Sequence, residues 1–177
     1  FFDVWFKEVP ADSLISFVRI HPTIPGAKPL VISIKDAKDA IETSGLDDLI
    51  WDDKQMYDLY YSAVTLHRPE KGRGGLRHVK EVPGVWVDLD VKAGAFPDQE
   101  AALQLLRDAP LSPTAVILTG SGGVHGYWRL DKPVDCDTGR ELNMRWWGLL
   151  SDLASPAEID KLTDPSRVLR VPGAIRW

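Results

Sequence analysis

Apolar and polar residues alternate most regularly between Val85 and Val91, where β-branched and aromatic side chains fill most positions. This pattern is typical of a strand, because side chains along a strand point alternately to its two faces. The alternation predicts one aliphatic face and an opposite face that carries Trp86, Asp88 and Asp90. The two carboxylates therefore point the same way, about 6.5–7 Å apart along the backbone by the rise of a strand.

The hydrophobic pattern divides the rest of the chain into short strands and amphipathic helices. It predicts strands at 13–20 and 29–34, a helix at 36–43, a strand at 60–66, a helix at 98–108, strands at 114–119 and 125–130, a helix at 138–153 and a last strand at 167–171. From the Asp88 strand onwards the order is β-α-β-β-α-β, which is typical of RRM-like domains. We expect an α+β fold in a single domain, 1–177, with an RRM-like lobe over about 59–177 and a smaller N-terminal α/β portion over about 1–58.

Composition narrows the class of protein. The chain has 177 residues and a formal net charge of −5, which fits one domain and argues against a purely electrostatic nucleic-acid binder. The single cysteine, Cys136, excludes a disulfide framework and fits a reducing cytosol. There is no membrane-length apolar run and no signal-peptide pattern, so we expect a cytoplasmic protein without membrane contact. The chain starts without Met, and we expect it to be a piece of a longer protein.

Two interpretations of the aspartate pair are open from the residues alone. Aspartate is rare in strands, and two carboxylates on one face repel each other. Asp88 and Asp90 could lie on a solvated strand edge, which is common for exposed acids. They could also bind a divalent cation such as Mg²⁺, which prefers carboxylate oxygens. Two unfavourable aspartates in an otherwise regular strand favour the interpretation as a functional site.

A glycine-rich loop follows the strand at 114–119. Its glycines allow backbone N–H groups to turn toward an anion, which makes Ser121, Gly122 and Gly123 candidate phosphate ligands. The loop matches neither the dinucleotide fingerprint nor the P-loop, and a simple hairpin turn would also explain it. His125 opens the next strand on the same face as Tyr127, so it is either a structural histidine or a site residue.

Two further segments carry charge. Asp164 precedes an alternating strand with Arg167 and Arg170, although an Asp before Pro165 can simply cap a turn. A polar loop rich in glycine carries five basic residues that suit contacts with a phosphate backbone. A solvated mobile loop explains the same composition. The basic residues are Arg68, Lys71, Arg73, Arg77 and Lys80.

Three of these segments together resemble the archaeo-eukaryotic primase superfamily, in particular the primase-polymerase domains of phages and plasmids. Its DxD strand resembles Asp88-Leu89-Asp90, and its small-x-His motif resembles Gly123-Val124-His125. Its late carboxylate before an Arg-rich strand resembles Asp164 before residues 167–173. The order and spacing match from about residue 60 to the end of the chain, although the Asn or Lys usual after the Pro-Gly is absent.

The resemblance implies a fold and an activity. The RRM-like lobe would be catalytic, and the active site would lie between it and the N-terminal portion. The activity would be template-directed nucleotidyl transfer, making primers or extending DNA from dNTPs or NTPs on a single-stranded DNA template. The resemblance also implies a helicase domain further along the full-length chain, in a bacterial or phage-infected cell.

The resemblance also implies roles for individual residues. Asp88, Asp90 and Asp164 would be catalytic and would hold Mg²⁺ or Mn²⁺, with Asp160 as a competing third carboxylate. The basic loop and exposed aromatic side chains would grip the template. The incoming nucleotide would be bound by Ser121, Gly122, Gly123, His125, Arg167 and Arg170.

This hypothesis has three alternatives. A template-independent palm-type nucleotidyltransferase or cyclase would use the same acids and stays open. A non-catalytic RRM-like nucleic-acid-binding module is disfavoured, because Asp replaces the expected aromatic platform on the central strand. A rolling-circle nuclease needs a His-apolar-His pair, and the chain's four histidines form none.

Overall fold

The computed structural model describes residues 1–21, 23, 26–44, 51–52, 55–69 and 71–174. The helices in this part of the chain are α1 (Phe2–Trp5), α2 (Ile34–Ser44), α3 (Gln99–Asp108) and α4 (Cys136–Ala154), with a 3₁₀ turn at Leu76–His78. The strands are β1 (Leu14–Ile20), β2 (Ala27–Ser33), β3 (Trp51–Asp52), β4 (Gln55–Met56), β5 (Asp58–Ser62), β6 (Thr65–Leu66), β7 (Val79–Leu89), β8 (Ala115–Leu118), β9 (Val124–Val134) and β10 (Val168–Arg170).

The predicted α+β class is confirmed, and so is the predicted order of elements in the second half. From β7 onwards the elements run β7-α3-β8-β9-α4-β10. The aspartates that precede α3 and α4 cap these helices, as Asp98 Oδ1 accepts from the Ala101 amide at 2.8 Å and Asp135 Oδ1 from the Thr138 amide at 2.9 Å. Such caps are local signals, which is why both helix starts were predicted to within two residues.

The strands form one large sheet in the order β10-β5-β1-β6-β7-β9-β8, with β2 on the other edge of β1. Neighbouring strands pair antiparallel. The segment that carries β5 and β6 joins the two halves of the sheet, since β5 pairs with β10 and β6 pairs with β7. The last strand therefore lies beside β5 and not beside the Asp88 strand. The division of the chain near residue 58 stays a prediction.

The β7–β9 part of the sheet separates two hydrophobic cores. Val85 and Val87 face α3 and α4, where they pack with Leu105 and other aliphatic side chains. Trp86 faces the opposite core and packs edge-on against Trp5 of α1, with ring centroids 6.2 Å apart. The predicted alternation of faces along β7 is confirmed. The face of β7 that carries the two acids at its end also carries this aromatic core.

Helix α1 was not predicted, because four residues give too short a pattern to detect. It exists through tertiary contacts: Trp5 is fully buried, and its Nε1 donates to the Ala63 carbonyl at 2.8 Å. On the other side of β7, Asn143 of α4 accepts a hydrogen bond from the Trp86 amide at 3.2 Å. No helix in the described part of the chain combines the length and the apolar character needed to cross a membrane.

Candidate active site

A polar cavity of about 250 Å³ lies where the end of β7 meets the start of β9 and the last strand. Five residues predicted from the sequence come together in it: Asp88, Asp90, Ser121, His125 and Arg170. The remaining lining residues are Tyr60, Thr119, Val168 and Leu169. A larger apolar cavity of about 460 Å³ between β9 and α4 contains none of the predicted site residues. The residues that line the polar cavity therefore identify it as the candidate active site.

Both aspartates project into this cavity from one end of β7, as predicted from the alternation. Asp88 lies directly opposite His125 in the β7–β9 register, and its Oδ1 is 3.3 Å from His125 Nε2. Asp90 follows the last residue of β7, and its Oδ2 is 2.7 Å from Lys92 Nζ. Lys92 also contacts Asp160 Oδ1 at 3.2 Å. The hydrogen bonds that Lys92 donates, first to Asp90 and then to Asp160, raise the pKa of Lys92 to about 12.

The glycine loop is a tight turn between β8 and β9. The Gly122 amide donates to the Thr119 carbonyl at 3.0 Å, and the Thr119 amide donates to the Gly123 carbonyl at 2.8 Å. Gly122 has a φ of +89°, and a Cβ on Gly123 would lie 2.8 Å from the Leu89 carbonyl oxygen. The turn therefore requires glycine at both positions and already uses the Gly122 amide. Ser121 is the loop residue that lines the cavity.

His125 is almost completely buried and connects the cavity to a pair of core tyrosines. Its Nδ1 lies 3.3 Å from the Tyr127 hydroxyl, which accepts a hydrogen bond from the Tyr61 hydroxyl at 3.1 Å. Burial raises the pKa of both tyrosines above the ordinary value. The phenols therefore stay protonated in the neutral range, and the chain of contacts from Tyr61 to Asp88 is made through neutral phenols.

Arg170 enters the cavity from the last strand. Its Nη1 is 3.1 Å from Asp58 Oδ1, and its Nη2 donates to the Tyr60 hydroxyl at 3.1 Å. The guanidinium also lies over the Tyr60 ring, 5.0 Å from its centroid. Because both partners are on β5, the pairing of β5 with β10 is what orients this cation in the cavity.

Comparison with known proteins gives the fold. No protein-family model and no curated protein matches the chain in sequence. The archaeo-eukaryotic primase domain of the cyanophage S-2L primase-polymerase matches in structure, with a TM-score of 0.57 and 18% identity, over 92% of this chain and 74% of that one. The chain has the archaeo-eukaryotic primase fold. The catalytic domain of primase Repb′, solved with initiator DNA, is also similar at 11% identity over 96% of this chain and 74% of that one, with a TM-score of 0.48.

This primase fold does not bring Asp164 to the cavity, so the predicted placement of Asp164 beside the two acids is wrong. Asp164 Oδ1 instead accepts hydrogen bonds from the Ser166 amide at 2.9 Å and the Ser166 hydroxyl at 2.8 Å. It caps a turn before β10, which was the alternative interpretation of its position. The acid that approaches Asp90, through Lys92, is Asp160. Arg167 is exposed and does not line the cavity.

The basic loop lies at the other end of β7 from the acids. Residues 67 and 78 at its ends are joined through a backbone hydrogen bond, and Val79 to Asp88 spans about 30 Å of strand. Arg73 has a structural contact, because its Nη1 donates to the Ser166 carbonyl at 2.5 Å. The other basic side chains, Arg68, Lys71, Arg77 and Lys80, are exposed, and their role in binding nucleic acid stays a prediction.

The aromatic side chains in the described part of the chain are buried or half-buried. The prediction that exposed rings would stack on template bases is therefore wrong for this part of the chain. Sequence reasoning also missed several side chains at the cavity. Tyr60 and Thr119 line it, and Lys92 joins two acids beside it. Lys92 follows Asp90 by two residues, and that charge pattern was the signal available in the sequence.

Proposed function

We propose that this chain is a template-directed nucleotidyltransferase that makes primers or extends DNA from dNTPs or NTPs. The observation that carries the proposal is the pair Asp88 and Asp90, which enter one polar cavity together with His125 and Arg170. Phosphoryl transfer needs positioned groups and neutralised charge more than covalent chemistry. The primase fold supports the assignment, since one structural neighbour is a primase-polymerase.

The residues of the cavity fit Mg²⁺ or Mn²⁺. Among the described residues no three His, Cys, Asp or Glu side chains form a metal-holding group, so a closed protein cage is not built here. Mg²⁺ commonly uses one or two carboxylates and completes its shell with water and substrate phosphates, which matches Asp88 and Asp90. The Lys92 ammonium, 2.7 Å from Asp90 Oδ2, is a stand-in for such a cation.

Asp88 and Asp90 would hold the metal through their carboxylate oxygens. A bound divalent ion supplies Lewis acidity toward a 3′-hydroxyl and charge stabilisation for the leaving pyrophosphate. His125 Nε2 faces the cavity and can donate a hydrogen bond to a phosphate oxygen. Arg170 neutralises phosphate charge while Asp58 and Tyr60 hold its guanidinium in place.

The partners follow from the same proposal. Single-stranded DNA would serve as the template. The exposed cations Arg68, Lys71, Arg77 and Lys80 lie at the other end of β7 from the cavity and would bind the phosphates of the strand by charge. A helicase domain in the same full-length chain and a cytoplasmic place of work complete the proposal. The helicase domain is implied by the resemblance, and the cytoplasmic location is inferred from the sequence pattern.

Incubation with a labelled nucleotide and single-stranded DNA tests the function. The arms compare Mg²⁺ with Mn²⁺, dNTPs with NTPs, and template with and without an annealed primer. Asp88→Asn is the inactive variant, and Asp131→Asn, an exposed aspartate on β9, is its matched control. We expect incorporation that follows the template and is lost in Asp88→Asn alone.

Other outcomes separate the alternatives. Incorporation without any template would identify a template-independent nucleotidyltransferase or cyclase and overturn the template-directed proposal. Binding of single-stranded DNA without incorporation under any metal would indicate a non-catalytic binding module.

A further inference from the structure

A buried chain of hydrogen-bonding side chains runs from the core to the candidate active site. Tyr61 on β5 donates to the Tyr127 hydroxyl at 3.1 Å, and that hydroxyl lies 3.3 Å from His125 Nδ1. On the other side of the imidazole, Nε2 faces Asp88 Oδ1 at 3.3 Å. Both tyrosines are fully buried, and His125 is 3% exposed. Three different strands therefore fix the environment of one imidazole.

Counting protons along this chain decides which imidazole nitrogen carries the hydrogen. Each phenol has one proton, and a neutral imidazole has one donor nitrogen and one acceptor nitrogen. Because the Tyr61 proton points to the Tyr127 oxygen, the Tyr127 proton is the one directed at His125 Nδ1. Nδ1 then accepts, and the hydrogen of the neutral imidazole sits on Nε2, which faces the cavity.

The opposite arrangement is disfavoured by what surrounds Tyr127. If His125 Nδ1 carried the hydrogen and donated it, the Tyr127 oxygen would accept twice, and its own proton would need another acceptor. The Tyr127 ring is enclosed by the rings of Phe1 and Trp5, with centroids 5.0 and 5.1 Å away. A buried hydroxyl proton without an acceptor is unfavourable. Burial also raises the pKa of both phenols, so neither loses its proton in the neutral range.

We propose that Tyr127, supported by Tyr61, is a positioning residue that fixes the hydrogen of neutral His125 on Nε2, so that His125 acts as a donor into the cavity. In the protein alone, the group that Nε2 faces is Asp88 Oδ1, at 3.3 Å. In the working enzyme the acceptor is a phosphate oxygen of the incoming nucleotide, and this second part rests on the proposed function. Neither tyrosine touches the substrate, so each acts only through His125.

The first test reads the position of the hydrogen directly, without metal or nucleotide. In ¹⁵N NMR at mildly alkaline pH, where an imidazole is neutral, the two ring nitrogens of a histidine give distinct shifts for each tautomer. The His125 signals are assigned by subtracting the spectrum of His125→Gln. We expect a protonated Nε2 in the wild-type protein and a shift toward protonated Nδ1 in Tyr127→Phe.

Two variants separate positioning from general loss of stability. Tyr61→Phe leaves the Tyr127 hydroxyl in place, so its tautomer population should lie between those of the wild type and Tyr127→Phe. Thr65→Val removes another buried hydroxyl, which bonds the Glu81 carbonyl at 3.3 Å far from His125. This control is expected to lower the melting temperature without moving the His125 signals.

The second test concerns the nucleotide. We expect Tyr127→Phe to raise KM for the nucleotide roughly five- to tenfold, the size of one lost hydrogen bond, with a smaller change in kcat. A wild-type spectrum with the hydrogen on Nδ1, or an unchanged tautomer in Tyr127→Phe, would overturn the positioning role. If the NMR result holds while no nucleotide is incorporated, the positioning role stands and the proposed function fails.

Discussion

The ammonium group of Lys92 lies 2.7 Å from Asp90 Oδ2 and places a positive charge at the candidate metal site. The same ammonium is 3.2 Å from Asp160 Oδ1, so it bridges two carboxylates that would otherwise repel each other. A divalent cation that binds Asp90 must displace this ammonium or accept its repulsion. Lys92 therefore competes with the metal under the proposed function.

Lys92→Met is expected to tighten Mn²⁺ binding roughly two- to fivefold, a small factor because exposed ion pairs are weak. The measurement is calorimetric titration of Mn²⁺ without nucleotide, with Lys80→Met at the other end of β7 as the control. The pKa of Lys92 is raised from 10.5 to about 12, so the ion pair is fully present below 10.5 and is lost as pH rises through 12. The competition should thus be constant across the neutral range. Unchanged or weaker Mn²⁺ binding would show that Lys92 supports the site.

Asp88→Asn and Asp90→Asn are each expected to lower nucleotide incorporation by about 100-fold or more, because a metal-ion contribution of several kcal/mol is lost. The melting temperature without metal should stay the same or rise, since one of two repelling carboxylates is gone. Primer-extension rates and thermal melts of both variants and of Asp131→Asn check this. Near-normal synthesis by both variants would remove the metal-site hypothesis.

The placement of the two acids could be predicted because the period of a strand is local. Val85 to Asp90 needed only alternation, and the residue types of the strand itself supplied it. The helix caps Asp98 and Asp135 are equally local. What failed was long-range: nothing in residues 164–170 says that β10 pairs with β5, and Asp164 was misplaced for this reason.

The missed side chains at the site have the same explanation. Tyr61 and Tyr127 meet across 66 positions of sequence, and Lys92 and Asp160 meet across 68. Neither segment of each pair shows this contact by itself, although the spacing of Lys92 from Asp90 was a partial signal. The glycine loop was only partly predicted, because its glycines serve the geometry of the turn as well as the cavity.

Gly123→Ala and Gly148→Ala are expected to change stability in opposite directions. A Cβ on Gly123 would lie 2.8 Å from the Leu89 carbonyl and 3.1 Å from Thr119 Oγ1, so the turn must open. We expect a loss of about 1–3 kcal/mol and weaker nucleotide binding. A Cβ on Gly148 inside α4 meets no atom within 4 Å, and alanine there should add about 0.5–1 kcal/mol. Denaturant melts measure both, and equal stability of the two variants would contradict the tight-turn interpretation.

Arg73 and Arg77 lie in the same basic loop but are expected to behave differently. Arg73→Ala removes the hydrogen bond to the Ser166 carbonyl and should lower the melting temperature, with little effect on binding of single-stranded DNA. Arg77 is exposed, and if the loop holds the template, Arg77→Ala should weaken binding and reduce the salt slope by about 0.7. Fluorescence anisotropy at several salt concentrations measures the slope. An unchanged slope in Arg77→Ala would leave the loop without a role in binding.

Asp160 and Asp164 were the two candidates for the third metal-binding acid, and their contacts in the structure favour Asp160. Asp164→Ala loses two hydrogen bonds to Ser166 and should destabilise the fold by about 0.5–2 kcal/mol, as for other caps, while Mn²⁺ affinity stays unchanged. Asp160→Asn leaves the turn that Asp164 caps intact, and it removes a negative charge next to Lys92.

The Asp160→Asn change should weaken Mn²⁺ binding for two reasons that act in the same direction. The electrostatic potential at the site becomes less negative. Lys92 now bridges Asp90 and Asp160, and without the Asp160 charge it would pair with Asp90 and compete more strongly with the metal there. Calorimetric titration of both variants with Mn²⁺, together with thermal melts, gives the ranking. Weaker Mn²⁺ binding in Asp164→Ala than in Asp160→Asn would return the third acid to Asp164 and would require β10 to lie beside β7.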